Sequence, residues 1–242
     1  MKAFSMTDIG MVRKINQDYI FSSENAVGNF PNLFLVADGM GGHQAGDYAS
    51  RVCVETIVDS IKNSYLRTEI GILEEAIKNA NRRIHTDALS NSELKGMGTT
   101  LVAAVITRDD VLYVANIGDS RLYIVNRQEI KQITEDHSYV EELIRKGEIR
   151  RSEARNHPKK NVITRAIGTS SRVIVDYFEV PLRDGDKILL CSDGLSNMVE
   201  DRELQYIIES YSDETEIAVK ELVKRANENG GKDNISTILI KF

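Results

Sequence analysis

The stretch TTLVAAVITRDDVLYVANIGDSRLYIVN, residues 99–126, predicts much of the fold. It contains three apolar segments in close succession, at 99–107, 111–118 and 121–126. These segments are rich in Val, Ile, Leu and Tyr and are bounded by turn residues, which is typical of β-strands. Asp119 and Ser120, between the last two segments, form a two-residue connection of the kind that closes a β-hairpin. Because a hairpin pairs its strands antiparallel, we expect an antiparallel sheet here.

Strands and helices are segregated along the rest of the chain. Four more segments have the composition of strands, at 32–38, 173–180, 187–193 and 235–242. Apolar residues three and four positions apart predict helices at 47–63, 69–89 and 214–228. The first two helices follow each other directly and a run of strands comes next, so regular β-α-β alternation is missing. This order favours an α+β fold in which helices cover antiparallel sheets.

The overall composition limits the possible classes of function. The chain has 242 residues, 41% of them apolar, which is enough for one core, so we expect a single domain over residues 1–242. The net charge of −6, without a basic stripe, argues against nucleic acid as a partner. No apolar run is long enough to cross a bilayer, no signal peptide is recognisable, and the two cysteines form no paired motif. We therefore expect a cytoplasmic protein without a membrane span.

Residues 137–165 interrupt the strand pattern. They contain the short helical segment SYVEELIRKG at 138–147, followed by a charged stretch. Such an excursion over the surface is a common way to build a segment that covers a functional site. We expect a flap subdomain at about 137–165 that regulates the access of substrate.

Aspartates stand at the ends of several predicted strands. Asp38 and Asp193 each close an apolar strand and are followed by glycine, Asp119 lies in the predicted hairpin turn, and Asp233 precedes the last strand by two residues. If these strand ends share one edge of the fold, their carboxylates converge and repel one another unless a cation lies between them. Oxygen ligands of this kind suit Mg²⁺, Mn²⁺ or Ca²⁺. The glycines would let backbone carbonyls and water reach the ion.

Each Asp-Gly pair also has a simpler interpretation. Taken singly, Asp-Gly after a strand is more often a turn than a metal site. The segment LRDGDK at 182–187 is expected to be only such a turn. The metal interpretation therefore depends on several aspartates acting together.

Six short motifs occur in the order found in the metal-dependent protein phosphatases, the type 2C or PPM family of serine/threonine phosphatases. They are RKINQD (13–18), VADGMGGH (36–43), GMGTT (96–100), IGDSR (117–121), CSDGL (191–195) and GGKDNIS (230–236). Over this range the chain resembles the family, most closely its compact bacterial members. The resemblance implies a four-layer αββα sandwich, with two antiparallel β-sheets flanked by helices and a binuclear Mn²⁺ or Mg²⁺ centre at one end.

The resemblance assigns the metal ligands residue by residue. Asp38 would bridge the two ions, and the backbone carbonyl of Gly39 would bind one of them. Asp193 and Asp233 would complete the coordination of the second ion. Asp119 matches a residue that helps to hold a third, weaker ion in bacterial members.

Two residues near the N-terminus match positions with supporting roles. Asp18 would act mainly through a metal-bound water. Arg13 would bind the substrate phosphate, since a guanidinium group fits phosphate with two parallel hydrogen bonds.

The implied reaction is hydrolysis of phosphoserine and phosphothreonine on proteins. A hydroxide that bridges the two ions would attack phosphorus directly, and no phosphoenzyme would form. The general acid is left open. Many eukaryotic members carry a histidine directly after the Asp-Gly pair, where this chain has Met40. His43, His137, His157 and a metal-bound water are the candidates, and a structural role is the alternative for each histidine.

The resemblance also implies partners. They would be phosphorylated proteins, in particular a eukaryotic-like Ser/Thr kinase and the substrates of that kinase, in bacterial signalling. The alternative is a catalytically inactive phosphatase fold that binds partners without turnover. An inactive relative should have lost metal ligands, whereas this chain keeps the whole set. A metal-dependent nuclease is disfavoured because the chain has no basic groove for a nucleic acid.

Overall fold

Two antiparallel β-sheets form the centre of the molecule. The computed structural model describes residues 1–42, 44–154 and 156–242. Its strands are β1 Lys2–Asp8, β2 Asp18–Ser23, β3 Leu33–Met40, β4 Gly98–Thr99, β5 Leu101–Ile106, β6 Val111–Ile117, β7 Arg121–Val125, β8 Ile130–Gln132, β9 Asp176–Pro181, β10 Lys187–Cys191 and β11 Ile235–Lys241. The first sheet has the order β1-β11-β10-β7-β8, and the second has the order β2-β3-β5-β6-β9 with β4 beside β3.

Helices cover the outer face of each sheet. The α-helices of the described residues are α1 Ala45–Lys62, α2 Glu69–Ser90, α3 Tyr139–Arg145, α4 Arg151–Ala154, α5 Asp193–Ser196, α6 Asp201–Ser210 and α7 Thr215–Glu228. Helices α1 and α2 pack on the second sheet, and α6 and α7 pack on the first. The result is the expected four-layer αββα sandwich.

Strand β3 shows why the sequence produces this layering. Leu33, Leu35 and Ala37 belong to the core under α1 and α2, whereas Phe34 and Val36 belong to the core between the sheets. Because successive side chains of a strand point to opposite faces, a strand buried on both faces must be apolar throughout. Burial of each large side chain stabilises the fold by about 1.5–3 kcal/mol.

The predicted strands and helices are present, with ends shifted by at most three residues. Strands β1, β2 and β8 and helices α4, α5 and α6 were not predicted. Strand β1 lies at a sheet edge with most of its residues only partly buried, so its apolar alternation is weak. Strand β8 has three residues and α6 has ten, which leaves little periodicity to detect.

The predicted hairpin at Asp119-Ser120 is wrong. Strand β6 pairs with β5 and β9 in the second sheet, whereas β7 pairs with β10 and β8 in the first. The chain therefore crosses from one sheet to the other at residues 118–120. Gly118 adopts a φ of 104°, which a side chain would strain, and the Ser120 hydroxyl is hydrogen-bonded to that of Thr100 at 2.8 Å. A two-residue connection fits a hairpin or a corner, and only packing decides between them.

Across the three described ranges, no helix has the length and apolar character needed to span a membrane.

Candidate metal centre

Most of the predicted site residues line one cavity at an end of the sandwich. The cavity has a volume of about 240 Å³ and lies where β3 and β10 end, beside the crossover to β7 and the loop before β11. Its lining includes six of the predicted residues: Arg13, Asp38, Gly39, Asp119, Asp193 and Asp233. Asp18, the seventh, is not part of this lining and is buried behind it, with 5% of its surface exposed.

The sheet register places two carboxylates opposite each other. Asp18 begins β2 and pairs with Asp38 on β3. Like charges in such a cross-strand pair are destabilising. The backbone of Asp38 is nevertheless held on the opposite edge, where its N–H donates to the Thr100 hydroxyl at 2.9 Å and its carbonyl accepts from the Thr100 N–H at 2.8 Å. The strand end is therefore fixed, and the repulsion is built into the fold.

Two of the aspartates have carboxylate oxygens that the protein leaves incomplete. Oδ2 of Asp18 accepts a hydrogen bond from the Ser192 hydroxyl at 2.7 Å, and Oδ2 of Asp193 accepts one from Asn197 Nδ2 at 2.9 Å. Oδ1 of each residue is buried and has no hydrogen-bond partner in the described parts of the chain. Buried polar atoms are normally satisfied, so these two oxygens require an explanation.

The same surroundings raise the pKa values of the carboxyl groups. Burial, with repulsion from Asp193 and Asp233, raises the pKa of Asp18 to about 7 despite its hydrogen bonds. Burial and the charge of Asp233 raise the pKa of Asp193 to about 6. The pKa of Asp38 is raised well above its ordinary value, first by burial and then by the charges of Asp18 and Asp193.

Asp119 belongs to the same electrostatic cluster. Burial is the main reason why its pKa is raised well above its ordinary value, and the charge of Asp193 adds to it. Its position follows from the crossover, because the N–H of Gly118 donates to His137 Nδ1 at 3.1 Å and the Gly118 carbonyl accepts from the His137 N–H at 2.9 Å.

Arg13 supplies the positive charge at the mouth of the cavity. Its Nη2 donates to Asp233 Oδ2 at 2.7 Å, and this hydrogen bond is the main reason why the pKa of Arg13 is raised. The guanidinium group remains about half exposed, so one edge of it can still reach a ligand from solvent.

Asn234 is a positioning residue that the sequence analysis missed. Its Nδ2 donates to the carbonyls of Ile9 and Ile15 at 3.0 and 3.1 Å, and its Oδ1 accepts from the Gln17 N–H at 2.9 Å. One side chain therefore holds both ends of the loop that carries Arg13. Asn234 could have been noticed, since it follows Asp233 inside the motif GGKDNIS. Its role could not be predicted from sequence spacing, because its partners lie more than 200 residues earlier in the chain.

The two glycines that follow the metal-ligand candidates have a packing role. A side chain on Gly39 would come within 2.0 Å of the Gly46 carbonyl oxygen at the start of α1. A side chain on Gly194 would come within 1.9 Å of the Asn234 carbonyl oxygen. Glycine is required at these positions because neighbouring backbone segments approach closely. The sequence had instead suggested that the glycines give backbone oxygens and water access to an ion.

The donor set fits a hard divalent cation. Oxygen is the only donor that the carboxylates and the Gly39 carbonyl offer, and Mg²⁺ or Mn²⁺ prefers oxygen. In the described ranges no three His, Cys, Asp or Glu side chains form a ready-made cage around a single point. Mg²⁺ usually takes only one or two carboxylates and keeps several waters, so each ion requires fewer side chains than that. The unpartnered oxygens of Asp18 and Asp193 identify where positive charge is missing.

The general-acid candidates are distributed as follows. His43 lies outside the described residues. His137 is buried and bridges two elements, because Nδ1 accepts from Gly118 and Nε2 lies 2.9 Å from Asp176 Oδ2. Burial lowers the pKa of His137. His157 Nδ1 accepts from the Lys159 N–H at 3.1 Å within its own turn. Met40 lines the cavity.

The excursion 137–165 is tied to the cavity at its base. The N–H of Tyr139 donates to the Val162 carbonyl at 2.8 Å, and the N–H of Thr164 donates to the His137 carbonyl at 2.7 Å. Asn161 and Ile163 directly line the same cavity as Asp38 and Asp193.

Comparison with known proteins gives a consistent result. The family described as Protein phosphatase 2C matches residues 12–239 of the chain. The chain is 44% identical to a serine/threonine phosphatase, stp, of Listeria welshimeri, over 100% of this chain and 96% of that protein.

Solved structures of similar proteins have the same architecture. The serine/threonine phosphatase Stp1 from Staphylococcus aureus superposes with a TM-score of 0.92 at 36% identity, covering 100% of this chain and 94% of that one. The catalytic domain of the serine/threonine protein phosphatase PstP, solved in complex with two manganese ions, gives a TM-score of 0.86 at 30% identity, with coverages of 98% and 96%.

Proposed function

The chain belongs to the protein phosphatase 2C family of serine/threonine protein phosphatases, and we propose that it hydrolyses phosphoserine and phosphothreonine on proteins at the aspartate-lined cavity. Two Mn²⁺ or Mg²⁺ ions would be held there by Asp38, the Gly39 carbonyl, Asp193 and Asp233. Asp119 would help to hold a third, weaker ion.

One observation carries the proposal. Partly buried carboxylates converge on a cavity that also contains a guanidinium group. Two buried oxygens, Asp18 Oδ1 and Asp193 Oδ1, have no hydrogen-bond partner among the described residues. Such a cluster is unfavourable in itself and becomes favourable when cations enter it. Two divalent ions, when bound, would supply an activated water as nucleophile and would neutralise the charge of the phosphoryl group.

The residues of the chain bind and orient the reacting groups. Arg13 would bind two phosphate oxygens with the exposed edge of its guanidinium group, while its pairing with Asp233 fixes the direction of that edge. Asp18 would orient a water at the inner side of the site through its unpartnered Oδ1. Asp38 would be held in position by Thr100 as the charge on the phosphate is redistributed.

We propose that residues 137–165 form a flap subdomain that adjusts substrate access. The support is their attachment at both ends of the segment and the presence of Asn161 and Ile163 in the cavity lining. Shortening the segment between 147 and 157 should change kcat/KM for a phosphoprotein more than for a small phosphate ester. Equal changes for both substrates would contradict the flap assignment.

Partners and location follow as proposals from the same function. The substrates would be cytoplasmic phosphoproteins, including a eukaryotic-like Ser/Thr kinase and the targets of that kinase. The kinase assignment can be tested by incubating the phosphorylated kinase with the metal-loaded protein and counting the phosphates removed by mass spectrometry.

The decisive experiment is hydrolysis of a phosphothreonine peptide by metal-stripped protein, before and after Mn²⁺ or Mg²⁺ is added. Activity that appears only with the ion is the expected result. A folded protein that stays inactive with either ion would instead be a catalytically inactive partner-binding module, and the proposal would be wrong.

A further inference from the structure

The loop that carries Arg13 exposes an unusual amount of apolar surface. We call residues 9–15 the arginine loop. Among the described residues, twelve large apolar side chains are exposed, and four of them lie in this seven-residue loop. They are Ile9, Met11, Val12 and Ile15, with exposed fractions from 39% to 70%. Exposed apolar side chains that cluster in this way mark interaction surfaces more often than isolated ones do.

The backbone of the arginine loop is held in place. Asn234 binds the carbonyls of Ile9 and Ile15, the N–H of Met11 donates to the Gly231 carbonyl at 2.8 Å, and the N–H of Gly10 donates to Asp8 Oδ1 at 2.8 Å. The apolar side chains are therefore presented to solvent from a fixed frame. A partner that covers them gains apolar burial without having to order the loop.

A groove continues from the loop along α7. It has a volume of about 450 Å³, and its apolar lining consists of Met6, Met11 and Val223, which we call the methionine groove. Its polar lining consists of Asp8, Lys220, Lys224, Asn227 and Glu228. Methionine side chains are flexible and polarizable, so two of them can adapt to apolar partners of different shape.

We propose that the methionine groove docks an apolar side chain of the phosphoprotein substrate, close in sequence to the phosphorylated residue. This inference rests on the proposed function, which brings the phosphate to Arg13. Met11 is only two residues from Arg13, so a peptide whose phosphate is bound by the guanidinium group lies beside the arginine loop and can reach the groove. At about 3.3 Å per residue of extended chain, the docked side chain would lie two to four positions from the phosphorylated residue.

The test uses three phosphothreonine peptides and one small ester. One peptide has only Ser and Gly around the phosphothreonine, and the other two carry a leucine three positions before or after it. With the metal-loaded protein, one leucine peptide should show a KM about tenfold lower than the Ser/Gly peptide. Met11→Gln should raise the KM of the leucine peptide most of the way to that of the Ser/Gly peptide. Its kcat/KM for the leucine peptide, divided by its kcat/KM for p-nitrophenyl phosphate, should fall by the same factor.

A matched control is available on α2. Leu89 is exposed to a similar degree, 77% against 70% for Met11, and lies outside the groove. Leu89→Gln should leave the peptide preference unchanged. Equal KM values for all three peptides, or an equal loss with Leu89→Gln, would overturn the docking proposal while leaving the proposed function intact.

Two further outcomes would also overturn it. If sedimentation shows a dimer that Met11→Gln converts to a monomer, the arginine loop is an interface between copies of the chain. If the unchanged protein hydrolyses neither the peptides nor the small ester with Mn²⁺ or Mg²⁺, the proposed function fails, and the docking inference fails with it.

Discussion

The two ends of β10 each carry a partly or fully buried aspartate next to a glycine, and the two aspartates differ in how their oxygens are satisfied. Asp186, just before the strand, accepts from Asn126 Nδ2 at 3.0 Å with Oδ1 and from the Arg183 N–H at 2.9 Å with Oδ2. Asp193, just after the strand, accepts from Asn197 with one oxygen, while the other has no hydrogen-bond partner among the described residues.

The difference separates a structural aspartate from a candidate metal ligand. Asp186 completes a turn, and hydrogen-bond donors satisfy both of its oxygens, which agrees with the expectation that LRDGDK is only a turn. Asp193 faces Asp38 and Asp233 across the cavity, so its surroundings are electrostatically incomplete. A glycine next to the aspartate does not distinguish the two cases, but the partners of the carboxylate oxygens do.

The largest expected effect follows from removing the charge of Asp193. Asp193→Asn should lower turnover by at least two orders of magnitude and weaken the binding of Mn²⁺, because one ligand charge is lost. The metal-free variant should be at least as thermally stable as the unchanged protein, since repulsion with Asp38 and Asp233 is relieved. Steady-state kinetics with titrated metal and a thermal melt measure both. Unchanged turnover would show that the wrong carboxylates were chosen.

Removal of Arg13 should have the next largest effect. Arg13→Ala is expected to raise KM for a phosphopeptide about tenfold or more with a smaller change in kcat, because its assigned task is to bind phosphate. Lys14→Ala, which removes an exposed neighbouring charge, is the control and should change KM by less than twofold. A collapse of kcat at constant KM would contradict the assignment.

The acidic end should make the stability of the metal-free protein depend on pH. Burial raises the pKa of Asp18 to about 7 and that of Asp193 to about 6, so the folded state binds more protons than the unfolded state above about pH 4. Stability should therefore fall as pH rises from about 4 to 7. Added Mg²⁺ or Mn²⁺ should remove most of the decline. Melting temperatures of metal-stripped protein across this range, with and without the ion, test the sign.

The smallest effect on activity is expected at the other end of β10. Asp186→Asn replaces an acceptor by a donor facing Asn126 or Arg183, and it should reduce the free energy of unfolding by about 1–3 kcal/mol. Turnover should change by less than twofold, because Asp186 is absent from the lining of the metal cavity. A loss of activity comparable to that of Asp193→Asn would mean that the two ends are coupled and that Asp186 has more than a structural role.

Local patterns in the sequence were sufficient to predict most of the apolar strands and the carboxylates at or near their ends. Asp38 and Asp193 were found because a buried strand must be apolar and stops being apolar where it leaves the core. The same argument predicted the three long helices, since their apolar spacing is repeated over several turns. These features depend on residues close together in the chain, and the family motifs extended them to Arg13 and Asp18.

Tertiary structure alone decided which of these features meet. Three features depend on residues that are distant in sequence. Asp18 lies opposite Asp38, the chain crosses between the sheets at Gly118 instead of forming a hairpin, and Asn234 binds both ends of the arginine loop. A connection of two residues, or an asparagine beside an aspartate, is compatible with several arrangements. Only the packing of the two sheets selects one of them, because the register of a strand and the direction of a corner are fixed by the core on which they rest.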